Sequence, residues 1–253
     1  MHLLHTRTGE LREFHGDEIP AYAILSHVWG EGEVTYQDMQ ASRSQVAGKA
    51  GFSKIWQTCG KALKESLEYA WIDTCCIDKS SSAELTEAIN SMFRWYQEAK
   101  TCYVYLADVP TRWDPVFESA FTSSRWFTRG WTLQELLAPR DVRFYSMDWT
   151  FLGTKIKLCD EISKITTISP SFLRAPIFGM LVSQKGCPGH QNARQPALRT
   201  FRTAFLAYLV SICQCSTAKE KMPFVGYKRR LSRSQMINHS SRGVVNSGMR
   251  WRK

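Results

Sequence analysis

The sequence predicts an α/β domain over about residues 1–173, a mostly parallel sheet flanked by helices, followed by a basic tail. Three observations carry that prediction. Short apolar runs with polar boundaries, YAILS at 22–26, AWI at 70–72, CYVYL at 102–106 and VRFYS at 142–146, read as buried strands. Between two of them Ala88, Ile89, Met92, Phe93 and Tyr96 recur at helical spacing. Finally, Tyr69 to Asp108 reads as strand, loop, helix, strand, a unit that makes a right-handed crossover between parallel strands.

Each element has its own local reason. MHLLHTRTGELREF holds a TGEL turn between two extended runs and reads as a small hairpin. Tyr22 to Ser26 is the first strong strand, with His27 to Glu31 as the loop after it. Phe52 to Ala70 reads as helical, with Ile55, Cys59, Ala62, Leu63, Ser66 and Leu67 on one face. Asp73 stops the strand at 70–72. The polar stretch Asp78 to Ser82 then supplies a helix start, with Ser81 or Ser82 as N-cap and Glu84 in the first turn. That helix runs through about Ala99. VPTRWDP is a proline-bounded connector, Val116 to Phe121 a helical turn, and TLQELL a helix that Pro139 ends. After the strand at 142–146, the stretch Trp149 to Ile168 contains a further amphipathic helix.

Composition bounds the function. A net charge of +10 suggests nucleic acid until it is divided. Residues 1–173 hold 18 Lys+Arg against 22 Asp+Glu, a net of −4, and residues 174–253 hold 15 against Glu220 alone, a net of +14. The basicity therefore says nothing about the folded part's partners, and no specific nucleic acid is expected. No apolar run of membrane-spanning length is present, and Met1 to Arg12 lacks a secretory h-region. Eight irregularly spaced cysteines fit reduced thiols in the cytoplasm better than a disulfide framework. With no pair of CxxC motifs, no metal site is expected.

Candidate chemistry gathers where strands end, because open α/β sheets bind ligands beyond the carboxyl ends of their strands. His27 after the first strand reads as an acid, base or ligand donor, or as a hydrogen-bonded residue fixing the loop. Ser26 and Trp29 flank it. Asp73 and Asp78 bracket the next loop, and suit ribose hydroxyls or a cation, or simply cap turns. Glu84 and Glu87 at the helix start suit an oxocarbenium-like transition state, or complement the helix dipole. Cys75 and Cys76 read as nucleophiles or redox switches, or as small buried thiols. Arg129 suits a phosphate and Trp131 a stacked base, or both belong to a helix entry over a Trp-rich core.

Four blocks then carry a resemblance: YAILSHVWG, WIDTCCIDK, SAELTEAINSMFRWYQEAKTCYVYLADV and SRWFTRGWTLQELLAP. In order and spacing, over roughly Tyr22 to Ser146, they resemble the HET domain of filamentous fungi. The resemblance implies an effector of heterokaryon incompatibility, the regulated cell death that follows fusion of genetically unlike hyphae. It also implies a distant similarity to Toll/interleukin-1 receptor (TIR) domains, hence a TIR-like, flavodoxin-like fold. Some TIR domains hydrolyse NAD, which makes NAD a candidate substrate and Glu84, Glu87 and His27 the candidate catalytic residues, with no cofactor assigned. Against that enzyme stands an oligomerising signalling module that binds protein partners or itself.

After about Leu173 the resemblance stops, and the tail reads as an out-of-frame translation. Family members continue with a stretch that includes YGEG. Encoding STAKEK at 216–221 as TCT ACG GCG AAG GAA AAA and starting at the third base gives TAC GGC GAA GGA, which is YGEG. The same shift lets CPGHQNA encode MSWASK. Such a segment is expected to be disordered, with Leu206 to Cys213 as an apolar run that packs opportunistically or aggregates. The chain thus reads as a truncated HET-domain protein, or as the inactive product of a frameshifted gene.

Overall fold

The computed structural model describes residues 1–41 and 46–174. The expectations about the tail lie outside these residues. Seven strands form one sheet: β1 (His2–His5), β2 (Leu11–Glu13), β3 (Tyr22–His27), β4 (Tyr69–Trp71), β5 (Thr101–Tyr105), β6 (Val142–Tyr145) and β7 (Phe151–Thr154). Their order is β2-β1-β4-β3-β5-β6-β7. The central four are parallel, while β1, β2 and β7 pair antiparallel at the flanks. Counted among themselves, the parallel strands run 2-1-3-4, the flavodoxin-like winding. The crossover from β3 to β4 and the next one, from β4 to β5, therefore run in opposite directions along the sheet. Open sheets of this winding bind ligands at the carboxyl ends of their strands, beside the point where it reverses.

Between the strands run α1 (Tyr36–Gln40), α2 (Phe52–Lys64), α3 (Ser82–Glu98), α4 (Phe117–Thr122) and α5 (Thr132–Leu137), and after β7 come α6 (Cys159–Thr166) and α7 (Pro170–Arg174). A right-handed crossover in each direction puts α2 on one face and α3 with α5 on the other. The side chains agree. On the α2 face Tyr103 donates to Glu65 Oε1 at 2.7 Å, and Lys61 sits 4.0 Å over the Tyr145 ring. On the opposite face Trp71 packs against Trp95 and Tyr96, and Trp126 against Phe144. All six residues of β3 are buried, as a strand covered on both faces requires.

Several boundaries differ from the sequence reading for local reasons. His27 is the last residue of β3, not part of the loop after it. Helix α2, expected to reach Ala70, stops at Lys64. There Ser66 adopts a left-handed φ of 59°, Ser66 N donates to Leu63 O, and Leu67 N donates to Ala62 O. This is a Schellman stop built without glycine, so the usual sequence signal is missing. Strand β7 was not expected; it is short, holds Gly153, and pairs through a bulge. The helix expected within Trp149 to Ile168 is α6, confined to Cys159–Thr166. No described helix is long and apolar enough to cross a membrane.

Candidate functional site

Pleating sends the last two residues of β3 to opposite faces, and each anchors a buried polar cluster. On the α3 face Ser26 Oγ donates to Glu135 Oε2 at 2.5 Å and accepts from Trp126 Nε1 at 2.7 Å. Glu135 is supplied by α5. Burial pushes its carboxyl up to about 7, although the Arg129 charge and the Ser26 hydrogen bond pull the other way. Tyr96 from α3 closes the same face by donating to Leu25 O at 3.2 Å.

On the α2 face the ring of His27 is enclosed. Its Nε2 lies 3.8 Å from Glu33 Oε2 and its Nδ1 3.8 Å from Asp73 Oδ1, too far for hydrogen bonds. Both ring nitrogens and Asp73 Oδ1 are buried without a hydrogen-bond partner among the described residues. Burial first, then the Lys54 charge, pushes His27 down to about 3 despite Glu33, with Arg129 and Lys79 adding to the fall. The imidazole is therefore neutral, and the 3.8 Å separations are not ion pairs in effect. A neutral ring has one N–H and one lone pair, whereas both facing carboxylates only accept.

The rim ties the faces together. Arg129 Nη1 donates to His27 O at 2.5 Å. Trp29 Nε1 donates to Asp73 Oδ2 at 2.8 Å, and Lys79 Nζ sits 4.1 Å over the Trp29 ring while donating to Thr74 O. Lys54 from α2 bonds to both Glu33 Oε1 and Val28 O. This packing depends on Gly51, where a Cβ would lie 2.7 Å from Glu33 Oε2 and 2.8 Å from its Cα.

Of the residues expected from the sequence, Ser26, His27, Trp29, Asp73 and Arg129 therefore converge. The others lie apart. Asp78 accepts from Ser80 N, Ser80 Oγ and Gln37 Nε2, bonds that hold its carboxyl below the usual range. Glu84 Oε1 accepts from Asp78 N at 2.9 Å and lies 3.1 Å from His2 Nδ1, toward β1 and away from His27. Glu87 is exposed on α3. Trp131 is half-buried before α5, where its carbonyl accepts from Gln134 N and Glu135 N. Cys75 and Cys76 are buried free thiols, and hydrogen bonding to Cys76 together with burial pushes Cys75 well up. No described group of three or more His, Cys, Asp and Glu is placed to hold a metal.

Sequence reasoning gave no site role to Glu33, Lys54, Trp126 or Glu135. An acid inside the apolar run TLQELL was a readable signal for Glu135, since such a residue needs a buried partner. Glu33 and Lys54 lie 21 positions apart and carry no such signal.

Comparison with known proteins adds two findings. The family model described as Heterokaryon incompatibility protein (HET) matches residues 22–118. The vegetative incompatibility protein HET-E-1 of Podospora anserina is 47% identical over 176 residues, covering 66% of this chain and 13% of the relative. The chain thus spans a small part of that relative's length. No solved structure matches.

Proposed function

Because this chain belongs to the heterokaryon incompatibility (HET) family, we propose that it acts in the cytoplasm as an effector of fungal incompatibility, in non-self recognition and regulated cell death. One observation carries this reading. The four sequence blocks that carry the resemblance supply most residues of the two linked polar clusters at the end of β3, with Glu33 and Lys54 coming from outside them. Ser26, His27 and Trp29 come from the first block, Asp73 and Lys79 from the second, Tyr96 from the third, and Trp126, Arg129 and Glu135 from the fourth.

The network also bears on mechanism. Ser26, His27 and Glu135 are shut away from solvent, and Glu84 is committed to His2 and Asp78. A carboxylate that breaks a glycosidic bond must face its substrate. The arrangement therefore favours a signalling module that works through protein partners or self-association over NAD cleavage by Glu84, Glu87 and His27. In this reading the network holds the carboxyl ends of β3 and β4 and the 125–135 segment in one fixed arrangement.

Regulated expression of the full chain in a filamentous fungus tests the function. Loss of viability is expected, and unaffected growth with the protein present would leave the inactive-product reading standing. Nicotinamide release by the purified chain, beside Glu84→Gln and Glu87→Gln, separates the mechanisms. Killing without release supports the module, and release lost in either variant supports the enzyme.

A further inference from the structure

A cavity of about 220 Å³ lies between the β1–β2 turn and helix α2. Its lining is apolar in depth: Leu4, Val46, Ile55 and Cys59 are buried, and Met39 and Phe52 pack partly against the core. Trp56 also lines it and remains 54% exposed, which places that ring at the lip.

The polar part of the lining comes from the turn at residues 6–10. Most of its groups are already engaged. Thr6 Oγ1 donates to Leu67 O and Glu68 O. Thr8 Oγ1 bonds to Glu10 Oε2 and contacts His5 Nδ1, and Glu10 Oε2 also lies 3.5 Å from Arg12 Nη2. Arg7 is the exception. Its guanidinium makes no hydrogen bond or ion pair with any described residue.

An apolar cavity with one uncommitted cation at its mouth matches a ligand with an apolar body and one carboxylate. We propose that this cavity binds a medium-chain fatty carboxylate, with its acyl chain among Leu4, Val46, Ile55 and Cys59 and its carboxylate on Arg7. Among the described residues the lining offers aliphatic and sulfur surface in depth and Arg7 as its single cation, while Glu10 is engaged by Thr8 and Arg12, which suits a chain with one anionic head better than a phosphate cluster. The volume is small for a ligand pocket, which limits the chain to medium length. The site lies outside the polar network and is independent of the incompatibility reading.

Calorimetric titration of the full chain with octanoate, decanoate and decanol, each below its aggregation threshold, tests the proposal. Single-site saturable binding of decanoate is expected. Affinity rises about fourfold for each methylene that leaves water, until the chain outgrows the cavity. Arg7→Gln alters an exposed side chain and should leave the fold intact. It should weaken decanoate by about fivefold, the upper range for an exposed ion pair, and leave decanol unchanged. Trp56→Ala should weaken both ligands, and a shift in Trp56 emission should track occupancy. Absence of saturable decanoate binding overturns the proposal, as does equal decanoate affinity in wild type and Arg7→Gln.

Discussion

His27 and Glu135 sit on either side of the end of β3, and burial moves their proton affinities in opposite directions, down to about 3 and up to about 7. The histidine favours the neutral form when folded, so between pH 3 and 6.5 the unfolded chain binds the extra proton and stability rises with pH. The glutamic acid holds its proton longer when folded, so between pH 4.5 and 7 stability falls as pH rises. Each slope is about 1.4 kcal/mol per pH unit. They cancel between pH 4.5 and 6.5; stability drops as pH falls below 4.5, where His27 acts alone, and slightly as pH rises from 6.5 to 7, where Glu135 does. Glu135→Gln removes the opposing slope. Its urea midpoint should fall steadily from pH 6.5 downward while the wild-type midpoint stays level to 4.5, and parallel profiles would refute the opposition. A second residue-scale prediction concerns Gly51. Ala there meets the backbone of Glu33, which cannot swing aside, and should cost about 1–3 kcal/mol as overpacking does. Gly48→Ala is the control, since a Cβ there meets nothing within 4 Å; equal melting shifts for the two would dismiss the steric argument.

Two helix ends show how local chemistry fixes an element. Ser81 caps α3, its side chain accepting from Glu84 N at 3.3 Å, and Glu84 reaches back to Asp78 N. Ser81→Ala should therefore cost about 1 kcal/mol and Ser82→Ala much less. Similar losses for both would place the cap elsewhere. At the end of α2 the left-handed position is held by exposed Ser66, where glycine is free of the Cβ strain. Ser66→Gly should raise stability by a few tenths to about 1 kcal/mol, read as a higher urea midpoint. An unchanged or lower midpoint would show that the serine is not strained there. These two ends also explain why one boundary was legible and the other was not. The Ser81 cap belongs to the residue type that sequence reading looks for, and the Ser66 stop does not.

For the whole molecule, the winding 2-1-3-4 decides which segments meet. It sets β3 between β4 and β5, so the loop after β4 and the 125–135 segment converge on the ends of one central strand. The chain beyond this sheet raises a separate question. The similarity to the Podospora relative covers 66% of the chain and leaves about a third without a counterpart, roughly the size of the basic tail. We expect the coding DNA, read from the third codon base after about Leu173, to encode MSWAS, LLGIF and YGEG in that order. Sequencing the gene around codons 173–221 checks this. A stop before YGEG in that frame, or codons incompatible with it, would refute the frame change.

By itself the sequence determined six of the seven strands, most helices and the family, because each rests on spacing within a few residues or on uninterrupted motif blocks. Apolar runs such as Tyr22 to Ser26 and Cys102 to Leu106 are strands in any register, and the three ordered blocks between Tyr22 and Val109 fall within the match to the HET family model. It also placed Ser26, His27, Trp29, Asp73 and Arg129 at strand ends or helix entries. What it left open was which of these face each other. Glu84 follows Asp78 closely in sequence yet turns toward His2 on β1, whereas Glu135 lies 109 positions from Ser26 and bonds to it at 2.5 Å. Strand order and pleat direction make that choice, and both are set by packing between segments remote in sequence, where no local pattern records the partner.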